Sequence, residues 1–245
     1  MWAPFLPFAV LCAGLASMPR DQLASVPETP SFVRHIVPLF QKLGCSSIQC
    51  HGAPHGQNGF RLSTLGRYPE QDIGSLRTDD RVNSADVDSS LILQKPTLEL
   101  SHRGGLRFKS GSWEHQLLQR WIAQGAALDS APAVQSLAIE PAKLQFSQAS
   151  EPARLRILAT RLNGSPEDVS HLVVLTSTDE SIVSVDRDTG RIRPGKSSGV
   201  AHVVASYGTN TAACTVVIPF APSKGIQRLL PRKSPIDEFI GQQLQ

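Results

Sequence analysis

Gly44-Cys45-Ser46-Ser47-Ile48-Gln49-Cys50-His51-Gly52 is the segment from which expectations for the rest of the chain follow. Two thiols followed directly by an imidazole suit covalent haem attachment: each cysteine sulfur adds to a haem vinyl group, and the adjacent histidine ligates the iron from the proximal side. The usual pattern has two residues between the cysteines, whereas here there are four. The longer spacing is less specific but still lets both sulfurs reach the porphyrin edge from one side. A second reading stands beside the first. In an exported protein Cys45 and Cys50 would pair as a disulfide, with His51 an ordinary polar residue.

The flanks point to a helical unit around this segment. Ser31 is placed to cap a helix in which Phe32, Ile36, Leu39, Phe40 and Leu43 recur at steps of three and four, with Pro38 as a kink and His35 off the apolar stripe, facing solvent. After His51 comes a glycine-rich loop, residues 52–60, that would let backbone pass close to a flat macrocycle or serve as a plain surface loop. Core contributors are expected at Leu62, Leu65, Ile73, Leu76, Val82, Leu91, Ile92 and Leu93. A final helix runs from the cap Ser112 through Leu117, Leu118, Trp121 and Ile122 to Gly125. Trp121 and Phe40 are expected to meet where the first and last helices cross.

Elimination narrows the second axial position. Met1 and Met18 are the only methionines, and both precede the haem segment. His55 lies too close in sequence to His51 to reach the opposite face. His102, in the glycine-rich loop Ser101-His102-Arg103-Gly104-Gly105, is therefore the candidate. The alternative is that His102 bonds a loop carbonyl and the iron is five-coordinate or holds water.

Residues 2–17 carry no charge, are too short for a comfortable membrane span, and have Gly14 and Ala16 as small residues for a cleavage site; residues 1–17 therefore read as a secretory signal, with an uncleaved anchor as the alternative. Export and c-type haem attachment support each other. The net charge of +3 on 245 residues includes no basic block, so nothing in it demands nucleic acid or an anionic membrane as a partner, and no nucleic-acid partner is expected. A composition of 40% hydrophobic and 18% charged residues is globular and leaves room for two cores.

From Phe32 to Ala126 the chain resembles the planctomycete-type cytochrome c domain. The resemblance rests on Gly-Cys-x4-Cys-His-Gly, Asn58-Gly59-Phe60-Arg61-Leu62-Ser63, Arg81-Val82-Asn83, Ser90-Leu91-Ile92-Leu93 with Lys95-Pro96-Thr97, His102-Arg103-Gly104-Gly105 and Trp121-Ile122-x2-Gly125-Ala126. It implies an exported c-type cytochrome module with Cys45 and Cys50 as attachment residues and His51 as proximal ligand.

Past a small, proline-containing linker the apolar period changes from helical to alternating. Segments at 137–141, 153–159, 172–175, 182–185, 190–192, 200–205 and 213–218 read as short strands between turns, the pattern of a β-sandwich. Thr176 to Val185, Thr189-Gly190-Arg191-Ile192 and Gly199 to Val203 resemble the bacterial Ig-like group 2 domain, whose members serve as spacers, adhesion modules or sugar binders. Cys214 is expected to be a buried small hydrophobe, and Asp179, Glu180, Asp186 and Asp188 to be solvated turn residues.

The expected organisation is multidomain, a mainly α cytochrome c-like domain followed by an all-β Ig-like sandwich. Its parts are a signal (1–17), a linker (18–30), the haem domain (31–129), a linker (130–136), the sandwich (137–219) and a tail (220–245) that resembles the opening of a further domain in a longer protein. The expected function is single-electron transfer through one covalent haem c held by Cys45, Cys50 and His51, with iron ligated by His51 and His102, in a periplasmic or otherwise exported protein. No catalytic constellation marks the chain as an enzyme by itself. Expected partners are a redox protein and, through the sandwich, a cell-surface glycan or protein; membrane association requires an uncleaved signal. The alternatives are a haem-free exported binding or adhesion protein with a Cys45–Cys50 disulfide, and a haem redox or sensor domain serving a C-terminal enzyme domain.

Overall fold

Alternation of apolar residues accounts for most of the regular structure. In the computed structural model, which describes residues 25–220 apart from 148, 149, 163 and 188, together with residue 235, ten strands form three sheets. The longest are β9 (Gly199–Tyr207) and β10 (Asn210–Ile218), an antiparallel hairpin paired from Tyr207–Asn210 to Gly199–Ile218. Gly208, with φ of 58°, supplies the left-handed turn that a two-residue hairpin loop needs. Ala201, Val203, Ala205 and Tyr207 on β9 and Cys214, Val216 and Ile218 on β10 face one buried side, as a period of two requires. The expected burial of Cys214 is met.

Around this hairpin β2 (Lys143–Gln145) adds in parallel to β10, and β6 (Val174–Ser177) antiparallel to β9. A second sheet pairs β1 (Val134–Glu140) with β4 (Arg156–Arg161) and β4 with β5 (Glu167–Asp168). A third joins β3 (Ala153–Arg154), β8 (Arg191–Pro194) and β7 (Val183–Val185).

Among the described residues the α-helices are short: α1 (Val37–Lys42), α2 (Pro69–Leu76), α3 (Leu91–Gln94) and α4 (Trp113–Ala123). A π-helical turn, Phe32–Ile36, leads into α1, and Ser31 caps it by accepting the Arg34 N–H. In α4 the Ser112 hydroxyl accepts from the His115 N–H, and Leu117, Leu118, Trp121 and Ile122 are buried, as the spacing predicts. Trp121 stacks on Phe32 at 5.3 Å between ring centres, so Phe32 rather than Phe40 is its ring partner.

These elements correct the expected fold class. A mainly α cytochrome c-like domain followed by an Ig-like sandwich is not what the chain forms. Among the described residues, strands in three sheets dominate and the helices are four short ones. The physical reason lies in residues 44–68 and 95–111, where glycine, proline and serine close successive turns instead of extending helices. Two further corrections concern single residues. Leu65, expected in the core, has φ of 59° and is 41% exposed. His35, expected in solvent, is buried: its Nδ1 accepts from the Ser31 N–H and its Nε2 lies 3.6 Å from Glu167 on β5.

That contact belongs to a seam between the helical and stranded halves. Arg34 pairs with Glu167 at 2.7 Å, Tyr207 donates its hydroxyl to the Arg34 carbonyl, and Lys42 donates to the His171 carbonyl. The His171 ring meets Trp113 edge-on at 4.5 Å, and Gln41 both donates to and accepts from Gly208. One hydrophobic core runs through both halves. No helix among the described residues is long and apolar enough to cross a membrane. The expected signal segment, and the tail beyond residue 220 apart from residue 235, lie outside the described residues.

Candidate functional site

The segment after α1 folds as a chain of turns. The Cys45 N–H donates to the Phe40 carbonyl, the Cys50 N–H to Ser47, the His51 N–H to Cys45 and the Gly52 N–H to Ser47. Gly52 is required there: a Cβ would stand 2.2 Å from the Ser46 carbonyl oxygen. Cys45 and Cys50 are free thiols, half-buried, and brought onto one short loop with His51. Burial pushes the Cys45 thiol up to about 12, against the pull of the Arg107 charge.

A second loop closes on the first. His102 lies opposite His51 with ring centres 6.5 Å apart and planes within 8° of parallel. Each ring is held by a carbonyl: His51 Nδ1 is 3.0 Å from the Phe60 oxygen and His102 Nδ1 is 3.0 Å from the Gly105 oxygen. A carbonyl only accepts, so each Nδ1 carries a proton and each ring turns its Nε2 away from that carbonyl. Neither Nε2 has a hydrogen-bond partner among the described residues. Burial lowers the His51 pKa and favours its neutral form. Gly104 makes room for the second ring, because a Cβ there would be 2.7 Å from His102 Cε1.

The two loops are joined by Arg107. Its guanidinium donates to the Leu43 carbonyl at 3.3 Å and approaches Cys50 Sγ at 3.7 Å. Nothing in its spacing marks Arg107 as a site residue. Behind His51 the chain is braced by Asp72 on α2, which accepts from the Ser63 N–H and hydroxyl; burial raises the Asp72 pKa while those bonds oppose it. Phe60 leans on the His51 ring at 4.4 Å, and the Arg81 guanidinium lies over Phe60 at 5.1 Å.

All four candidate residues, Cys45, Cys50, His51 and His102, therefore fall on two adjoining loops. His55 is exposed and takes no part. The donor set suits haem c: two thiols on one loop for the vinyl groups and two carbonyl-oriented imidazoles for one iron. His51 and His102 are the residues that would hold the iron, each imidazole oriented by a carbonyl on its Nδ1 side. Among the described residues no three His, Cys, Asp or Glu side chains gather as a metal cluster.

Among Asp179, Glu180 and Asp186, read as solvated turn acids, Asp179 caps a turn by accepting the Ser181 N–H, and Asp186 accepts from Thr189. Asp188 lies outside the described residues. No protein-family model and no curated protein matches the chain.

Proposed function

We propose that the chain is a single-electron carrier that would hold one covalent haem c, with Cys45 and Cys50 as the thioether residues and His51 and His102 as the residues that would ligate its iron. The observation that carries this reading is the facing pair His51 and His102, parallel to within 8° at 6.5 Å, each fixed through Nδ1 and each leaving Nε2 free. Metal-bound histidines characteristically donate their other ring N–H to a carbonyl or carboxylate, which fixes tautomer and orientation. When bound, haem supplies an iron that exchanges one electron between its ferrous and ferric states. The chain's own groups do the rest. Cys45 and Cys50 tether the macrocycle, the Phe60 and Gly105 carbonyls hold the imidazoles, and Arg107 keeps the two loops in register.

The expected export to an oxidising compartment and the expected redox protein as partner belong to the same proposal. The test is the intact mass and pyridine haemochrome spectrum of the denatured chain exported by a host with haem-attachment machinery. Haem retained through acid-acetone extraction, and lost in Cys45→Ala/Cys50→Ala, is the expected result. A haem-free chain in which Cys45 and Cys50 have oxidised to a disulfide would instead favour an exported binding protein.

A further inference from the structure

We infer that Arg81 and Phe60 form a tuning stack behind His51 that fixes the plane of its imidazole and raises the reduction potential of the group it ligates. The inference rests on the haem reading above. The three groups are in sequence through space: the guanidinium carbon of Arg81 is 5.1 Å from the centre of Phe60, and Phe60 is 4.4 Å from the His51 ring. Phe60 acts on His51 twice. Its ring packs against one side of the imidazole, tilted by 49°, and its carbonyl takes the Nδ1 proton.

Arg81 is held in place from several sides. It is 8% exposed, pairs with Asp79 at 2.7 Å, and donates to the Ser75 and Thr78 carbonyls at 3.1 and 3.2 Å and to the Thr78 hydroxyl. Asp79, 74% exposed, offsets part of the Arg81 charge from the solvent side, away from the ring that the guanidinium covers. A guanidinium over an aromatic face is attracted to the ring quadrupole. The stack is therefore a rigid column whose charged end lies within about 10 Å of His51. A fixed positive charge at that range opposes the added charge of ferric iron and favours the ferrous state. Arg81 touches no reacting atom, so it is a positioning residue that acts through Phe60 and through its field.

The experiment is potentiometric titration of the haem-loaded full chain and of Arg81→Gln, Arg81→Lys and Phe60→Leu, together with electron paramagnetic resonance of each ferric form. At a poise fixed at the wild-type midpoint, Arg81→Gln is expected to shift the ferric-to-ferrous ratio at least about threefold toward ferric, while Arg81→Lys, which keeps the charge, stays closer to wild type. Phe60→Leu keeps the carbonyl but removes the ring, so it is expected to change the low-spin ferric signal with haem retained. Because Arg81→Gln removes a buried, multiply bonded group, Phe60→Leu decides the matter if that variant does not fold. Haem present with the ferric signal of Phe60→Leu unchanged, or with the potential of a folded Arg81→Gln unchanged, overturns this inference alone. A wild-type chain that carries no haem overturns this inference and the reading it rests on together.

Discussion

The β9–β10 hairpin and the loop pair around His51 and His102 keep their shape by opposite means. The hairpin pairs Gly199–Tyr207 with Asn210–Ile218 residue by residue, and every second side chain goes into the core. The loop pair has no ladder. Its backbone is fixed by individual anchors: Asp72 on Ser63, Ser90 accepting the Asn83 N–H, Arg107 on Leu43, and glycines where a Cβ would collide. Repetition makes a scaffold that tolerates the loss of one contact. A set of single anchors makes a site in which each contact fixes one stretch of backbone that no neighbouring contact repeats.

The largest effects should come from the shared core. Trp121→Ala is expected to cost about 3–5 kcal/mol and Ile157→Ala about 2–5 kcal/mol, since both side chains are buried. Because one core and the Arg34–Glu167 and Lys42–His171 contacts join the halves, chemical denaturation should show one transition that both substitutions lower. Two separate transitions, each moved by only one substitution, would break the picture of a single scaffold.

Next comes acid. Contact with His35, joined by Arg34, holds the Glu167 carboxyl down to about 2 from an ordinary 4.5, and burial holds His171 down to about 4 from 6.5. Both pKa values are depressed in the folded chain, so the unfolded chain binds protons first and stability falls with pH. The His171 contribution is full above 6.5 and is lost on the way down to about 4; that of Glu167 is full above 4.5 and is lost towards 2. Each loss is on the order of 1–3 kcal/mol. Urea titrations across this range should show the decline, and Glu167→Gln should flatten its lower part. An unchanged slope in that variant would remove Glu167 from the seam.

Much of this fold is legible in the sequence, for identifiable reasons. Period-two alternation gives β1, β4 and β6 to β10, and the period of α4 with its cap at Ser112 gives the last helix. The short strands β2 and β5 carry too few residues to show a period. His35 looks like a surface residue because its partner Glu167 lies far along the chain and no local pattern announces it. The helical content of the first half is overread, since apolar spacing does not reveal that 44–68 and 95–111 turn at nearly every step. At the candidate site, adjacency singles out Cys45, Cys50 and His51 and elimination singles out His102, which the structure brings onto adjoining loops, whereas Arg107 comes from folding alone.

Smaller effects separate scaffold from site. Ser112→Ala removes the cap on α4 and should cost about 1 kcal/mol in thermal or urea unfolding, without touching the His51–His102 spacing. A cost near zero would mean the helix is held by burial alone. Gly104→Ala should cost about 1 kcal/mol or less, because the imidazole it meets can swing aside. That movement would displace the His102 ring from its place opposite His51, so the substitution should perturb haem ligation more than stability. A ferric spectrum unchanged by Gly104→Ala would show that the glycine does not set the ring's position.

The most direct test of the central claim is the low-temperature electron paramagnetic resonance spectrum of the ferric, haem-loaded chain beside that of His102→Ala. With His51 and His102 both on the iron and their planes near parallel, as at 8°, the wild-type signal should be low-spin and rhombic, and His102→Ala should convert it to high-spin while the thioether-linked haem remains. A high-spin wild-type signal, or a low-spin one that survives His102→Ala unchanged, would contradict the account.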